Sequence, residues 1–226
     1  MVESQIGGTV ILLFSKAPIP GQVKTRLIPK VGAEGAAKIH QILLEKVLET
    51  VLSVVDAKVQ LWVANHPQHS FIKPLRERFG IEVCQQQGHD LGERMKFAVD
   101  LARMQYRRVI LIGGDCLSVS PEYIQQSIDL MAAEEVDLVL GPAEDGGYVM
   151  MGLTCQIQGA ELEGLFSNIE WGGPKVLSQT LDKANSFKLK VKLLDRRWDV
   201  DRWEDVERAV TLGLLPEFIF SPGIAE

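Results

Sequence analysis

The sequence predicts one α/β domain, a three-layer sandwich in which a mainly parallel sheet carries helices on both faces. Two observations lead there. Short apolar runs alternate with longer segments of helical periodicity, and the runs are apolar throughout rather than at every second residue, as in strands covered on both sides. The length of 226 residues suits one extensive core, and no internal repeat or low-complexity linker marks a boundary, so residues 1–226 are read as a single domain.

The first strand is TVILLF, Thr9 to Phe14. It is too short for a membrane span or a signal peptide, no basic region precedes it, and a cytoplasmic protein is expected. The helical segment from Glu34 to Val55 places Ile39, Ile42, Leu43, Val47, Leu48 and Val51 on one broad apolar face. Strands follow at Ala57–Ala64 and Ile81–Gln85, then a helix over Leu91–Gln105 and a strand at Arg108–Gly114. The next helix, Pro121–Glu135, has Ser120 as N-cap and proline at its first position, and a strand spans Val136–Pro142. After Leu140 the alternation weakens: GPAEDGGYVMMGL reads as a glycine-rich polar loop, followed by an irregular connection and a helix from near Pro174. A strand-like Phe187–Asp195 and a helix around Arg202–Gly213 close the chain, and residues 214–226, ending in SPGIAE, read as a frayed tail.

Composition excludes some classes. With 46% hydrophobic and 24% charged residues the chain is neither disordered nor a disulfide scaffold. Its net charge of -6 argues against nucleic acid or anionic lipid as partner, since both demand a broad basic surface. Cys84, Cys116 and Cys155 are odd in number, match no zinc spacing and read as reduced, buried thiols. Homo-oligomerisation is left open.

In such sheets ligands bind outside the carboxyl ends of the strands, which makes five post-strand stretches informative. In SKAPIPGQVKTRL, Ser15 to Leu27, the residues Pro18, Pro20 and Gly21 impose a non-helical path while Lys16, Lys24 and Arg26 supply donors for phosphate oxygens. A pyrophosphate-holding loop and a solvated basic loop both satisfy this pattern, which is neither a P-loop nor GxGxxG. In VILIGGDCLSVSPEY, Asp115 ends an apolar strand, where it can hold magnesium or manganese or simply cap a turn. In DRRWDVDRWEDVE, Asp199 and Asp201 are two residues apart and point the same way if extended, so either could complete a metal site with Asp115. Glu204 and Asp205 suit the start of the last helix. In GPAEDGGYVMMG, Gly146 and Gly147 after Asp145 permit either close approach to a ligand or a tight turn. In QQQGHDLGERM, Gln85 to Gln87 and Gly88 can read a nucleobase edge, and Arg94 can meet phosphate or salt-bridge on its helix. His40 and His89 have no second histidine at ligand spacing and are read as non-catalytic.

Taken together and in order, these stretches resemble a family of small bacterial transferases with the glycosyltransferase-A-like, nucleotide-diphospho-sugar transferase fold, a Rossmann-like sandwich. Some members are described as glycosyltransferases associated with arsenosugar biosynthesis. The matching phrases, KAPIPGQVKTRL, GHDLGERM, VILIGGDC, LGPAEDGGYVMMGL, WGGPKVLSQTL and DVDRWEDV, span most of the chain. The chain departs from the family at Gly114 and Leu117, at Gly172 and Gly173, and at Arg202 and Trp203. The resemblance implies that Lys24 and Arg26, with Lys16, hold nucleotide phosphates and that Asp115 with Asp201 or Asp199 holds magnesium or manganese. It further implies catalytic roles for Asp115 and Asp145, with Gly146, Gly147, Tyr148 and Trp171 near the acceptor or sugar. The function implied is a metal-dependent glycosyltransferase acting on a nucleotide-sugar and a small acceptor. The alternatives are a nucleotidyltransferase acting on a phosphorylated metabolite, a more distant resemblance, and a non-catalytic nucleotide-binding protein.

Overall fold

The computed structural model describes residues 7–217. Seven strands form one sheet: β1 (Thr9–Ser15), β2 (Ala57–Val63), β3 (Glu82–Gln85), β4 (Arg108–Gly113), β5 (Leu138–Pro142), β6 (Tyr148–Thr154) and β7 (Val191–Leu193). Their spatial order is β3-β2-β1-β4-β6-β5-β7. The pairs β1–β2, β1–β4, β2–β3 and β5–β7 are parallel, whereas β6 runs antiparallel to both β4 and β5.

Alternation along β1 divides the core. Ile11 and Leu13 face α1 (Ile28–Leu52), α2 (Ile72–Phe79) and α4 (Pro121–Ala132), joining Leu44, Leu48, Ile72 and Ile124 in one cluster. Val10 and Leu12 face the other way, toward α3 (Leu91–Arg103), α5 (Gly159–Phe166) and α6 (Val176–Ser186), where Val99, Leu165 and Ala184 complete a second cluster. A third cluster packs Ile39 and Leu43 of α1 against Trp198, Val200 and Val206 of α7 (Trp203–Thr211). Each fully buried Leu or Ile contributes about 1.5–3 kcal/mol of transfer free energy, so all three layers are stabilised by burial of apolar side chains.

Local chemistry sets the boundaries. Ser120 accepts from the Tyr123 N–H at 3.3 Å and Asp90 from the Glu93 N–H at 2.8 Å, capping α4 and α3. Helix α1 starts at Ile28, earlier than the periodicity suggests, and is interrupted at Gly32, whose φ of 72° is open to glycine.

The structure corrects several sequence readings. YVMMGLT, read as part of a glycine-rich loop, is the buried strand β6. Its Gly152 obscures the pattern because a Cβ there would lie 2.9 Å from Ser127 Oγ, so strand propensity yields to close packing of α4. Helices α2 and α5 are not expected from the sequence, and β7 is shorter than expected, its first residues being taken by the turn after α6, where the N–H groups of Phe187, Lys188 and Leu189 donate back to the Lys183, Asn185 and Ala184 carbonyls. Of the cysteines only Cys116 is buried; Cys84 and Cys155 are partly exposed, and all three are unpaired. Leu215, at the start of the expected tail, is buried in the third cluster, while residues 218–226 lie outside the described residues. No helix among the described residues is long and apolar enough to cross a membrane.

One contact tests the packing of β5 under α4. Tyr123 donates to the Asp195 carbonyl at 2.7 Å, and a Cβ on Gly141 would lie 2.5 Å from the Tyr123 hydroxyl. Gly141→Ala should therefore cost about 1–3 kcal/mol in urea unfolding. Combined with Tyr123→Phe, which frees that space, it should cost less than the two single changes added; strict additivity would show that the hydroxyl does not create the constraint.

Candidate functional site

Strands β2 and β4 flank β1 on opposite sides, which makes the gap between the carboxyl ends of β1 and β4 a topological switch point. Two cavities meet there. The larger, about 530 Å³, is lined by Lys16, Lys24, Arg26, His40, Gln86 and Arg94 among others; the smaller, about 310 Å³, is lined by Asp115, Asp145, Asp199, Tyr148, Trp171 and a set of apolar side chains. Asp115 borders both.

The loop after β1 is held by its backbone. The Ala17 N–H donates to Asn65 Oδ1 at 2.9 Å, and the Lys16 carbonyl accepts from His40 Nε2 at 3.0 Å. Lys24 then takes a left-handed conformation, φ 44° and ψ 42°, uncommon for a residue with a side chain. This turns its ammonium inward: Nζ is 2.5 Å from Asp115 Oδ2 and 3.8 Å from Asp201 Oδ1, with 6% of the side chain exposed. Burial alone would raise the Asp115 carboxyl, and the adjacent Lys24 charge outweighs it, leaving Asp115 below the usual carboxylate range. Arg26, largely exposed, pairs with Asp201. Lys24 and Arg26, singled out for phosphate, are thus partners of Asp115 and Asp201, singled out for metal.

The acidic segment is zipped onto the loop after β4. The Val200 N–H donates to the Asp115 carbonyl at 3.1 Å, the Trp198 N–H donates to Ser118 Oγ at 2.9 Å, and Ser118 Oγ donates to the Trp198 carbonyl at 2.5 Å. Asp199 lines the smaller cavity and Asp201 the larger. They part because Asp205 captures the N–H groups of Asp201 and Arg202, at 3.0 and 2.7 Å, and turns the chain into α7. Burial, and next the charge of Asp115, push the Asp199 carboxyl up to about 6. Asp115 and Asp199 are therefore hard oxygen donors lining one cavity, and the like-charge coupling between them suits a divalent cation. No cluster of three or more His, Cys, Asp and Glu capable of holding a metal forms among the described residues.

Other expected residues divide. Asp145 accepts from the Gly147 N–H at 3.0 Å in a tight turn, and both line the smaller cavity. Gly146 does not line it: a Cβ there would meet the Pro174 carbonyl at 2.1 Å, so this glycine serves close packing against the segment before α6. Tyr148 and Trp171 form an edge-to-face pair, centroids 6.5 Å apart and planes at 89°. Arg94 donates from Nε to the Gly88 carbonyl at 3.0 Å and lines the larger cavity, but Gln87 and Gly88 do not. Gln86 stands there instead, its amide donating to the Trp62 carbonyl at 2.8 Å and the Ser15 carbonyl at 3.1 Å, tying β2 to β1. His40, read from the sequence as non-catalytic, lines the larger cavity from the buried stripe of α1. Its Nε2 serves Lys16 while Nδ1 is buried without a partner, and burial holds its pKa below 6.5.

A seven-stranded sheet with a basic loop after β1 and a carboxylate after β4 defines the glycosyltransferase-A-like, nucleotide-diphospho-sugar transferase fold, as the motifs implied. Residues 47–173 match the bacterial family described as uncharacterised protein conserved in bacteria, DUF2064, and the chain belongs to that family. Among solved structures it is similar to a candidate nucleotide-diphospho-sugar transferase from Desulfovibrio desulfuricans G20, with 29% identity, 96% of this chain and 92% of that one covered, and a TM-score of 0.81. The 4-diphosphocytidyl-2C-methyl-D-erythritol synthase from Anaerococcus prevotii DSM 20548 shares the fold at 14% identity and TM-score 0.65, covering 92% of this chain and 97% of that one. Rv0371c from Mycobacterium tuberculosis H37Rv, solved with manganese, shares it at 15% identity and TM-score 0.57, covering 92% and 100%. No curated protein matches the chain.

His40 yields a pH prediction. Because its folded pKa lies below the unfolded 6.5, its contribution to stability is complete above 6.5 and is lost as the pH falls through the lower folded value. The melting temperature should decline below pH 6.5, and His40→Gln, which removes the titrating ring, should flatten that decline; identical profiles would free His40 of the role.

Proposed function

We propose that this protein is a metal-dependent glycosyltransferase that moves a sugar from a nucleotide-diphospho-sugar to a small acceptor. The observation that carries the reading is the segregation of charge at the switch point. Every Lys, Arg and His lining either cavity belongs to the larger one, and the smaller is lined by Asp115, Asp145 and Asp199 with no cationic side chain. A diphosphate suits the first environment. The second offers a phosphorylated acceptor, which nucleotidyl transfer to such a metabolite would require, no cationic side chain, so that only a metal ion on Asp115 and Asp199 would offset its charge there.

In this reading Lys16, Lys24, Arg26 and Arg94 bind the donor nucleotide and its phosphates, and Asp201 positions Arg26. Asp115 and Asp199 would hold magnesium or manganese, which when bound offsets charge gathering on the departing diphosphate. An acceptor hydroxyl attacks the anomeric carbon, the bond from that carbon to the phosphate oxygen breaks, and the electron pair leaves with the nucleoside diphosphate. Asp145, exposed at the rim of the acceptor cavity, is positioned to orient that hydroxyl or to take its proton. The Lys24–Asp115 pair must open as phosphate draws the ammonium away, and the left-handed backbone at Lys24 makes this loop the part that yields.

Product analysis tests the reading. Incubation with nucleotide-sugars, manganese and small alcohols should release nucleoside diphosphate, whereas pyrophosphate from a nucleoside triphosphate would establish nucleotidyl transfer instead. Asp115→Asn, which keeps the shape but not the charge, should abolish turnover; normal turnover would remove Asp115 from the mechanism. Arg26→Ala should weaken nucleoside diphosphate binding, measured calorimetrically, by about 1–3 kcal/mol. Unchanged affinity would return the loop to the solvated-surface alternative.

A further inference from the structure

The smaller cavity carries more information than its lack of cations. Its charged groups are the carboxylates of Asp115, Asp145 and Asp199, and its other polar side chains are few, the Tyr148 hydroxyl and the Cys116 thiol among them, whereas Phe14, Met95, Val149, Trp171 and Val176 contribute apolar walls. At about 310 Å³ it holds a compact molecule only. An acceptor covered in hydroxyl groups would leave several of them against hydrocarbon without partners, a loss that an apolar body avoids.

Trp171 is the wall whose position is most constrained. One side is set by the edge-to-face contact with Tyr148. Another is set by α3, where Gly92 gives the indole room: a Cβ at that position would lie 2.3 Å from Trp171 Nε1 and 2.5 Å from the Phe166 carbonyl. Glycine in the first turn of an amphipathic helix is costly unless something needs the space. The indole is therefore held in place by packing before any ligand arrives, and an aromatic wall of that kind selects by shape and by its electron-rich face.

We propose that the acceptor is a non-anionic alcohol with an apolar, ring-like body that packs against Trp171 and presents its hydroxyl to the carboxylate end of the cavity. This deepens the glycosyl-transfer reading and rests on it for the word acceptor. The chemistry of the cavity itself is independent of turnover. Trp171 acts here as a specificity-determining residue.

The test needs neither nucleotide nor catalysis. In the full-length nitrogen-15-labelled protein with magnesium present, the Trp171 indole N–H resonance, assigned by its disappearance in Trp171→Phe, is titrated with benzyl alcohol, glycerol and benzyl phosphate. Benzyl alcohol should shift it saturably at concentrations about tenfold lower than the other two, a difference of about 1.4 kcal/mol. An equal or stronger response to glycerol overturns the apolar body, an equal or stronger response to benzyl phosphate overturns the exclusion of anions, and no response to benzyl alcohol overturns the proposal as a whole. By saturation-transfer measurement Trp171→Phe should bind benzyl alcohol within about threefold of the unaltered protein and Trp171→Ala about tenfold more weakly. Equal binding by both variants would remove Trp171 from selection. Because no donor is present, failure of the product assay with the benzyl alcohol preference intact would overturn glycosyl transfer alone.

Discussion

The ion pair between Lys24 and Asp115 is the constraint around which the rest of the site is arranged. A carboxylate at the end of β4, bordered by the sheet and by the Trp198–Asp201 segment, would take up a proton if left alone, because burial disfavours its charge. It stays ionised because Lys24 comes within 2.5 Å. Lys24 can come that close only because its backbone turns left-handed, and Asn65 and His40 hold the loop before it. One interaction thus couples the path of the loop after β1, the charge state of the strand-end carboxylate and, through Asp201 and Arg26, the start of α7.

The sheet supplies the geometry that makes this coupling possible. The parallel pair β1–β4 aligns Phe14 with Gly113, so the loops leaving both strands start side by side. The antiparallel β6, inserted between β4 and β5, turns the Asp145 loop back toward the same end. Glycines at 92, 146 and 152 each mark a place where a neighbouring element comes too near for a Cβ. The first two set how closely α3 and the segment before α6 approach the smaller cavity, and the third how closely α4 packs on β6.

Charge is divided sharply over a short distance. The larger cavity gathers cations over a polar floor made by Gln86, Ser15 and His40, whereas the smaller gathers carboxylates at one end of apolar walls. In a chain with net charge -6 this clustering of Lys and Arg makes a local exception to the overall negative field. Asp115 lines both compartments, together with Phe14 and Leu91.

Much of this was legible in the chain itself. The apolar runs identified β1 to β5 and the strand-like Phe187–Asp195 contains β7, Ser120 and Pro121 announced α4, and the order of Lys24, Asp115, Asp145 and Asp199 pointed to the switch point, because strand ends converge in a parallel sheet whatever its details. Elements whose local pattern is overridden by packing were not legible: β6 is interrupted by Gly152, and α2 and α5 are short. Nor could spacing reveal that Asp199 and Asp201 enter different cavities, since the Asp205 carboxylate accepts from the Asp201 and Arg202 N–H groups and turns the chain there into α7. Gln86 rather than Gln87 reaches the cavity because it bonds the strand ends, a long-range choice. The sequence by itself determined the layers, the residue types at the strand ends and the family. Only the tertiary structure decided which charges neutralise one another and which faces of the cleft are polar, because those depend on side chains brought together from distant positions in the chain, at distances of a few ångströms.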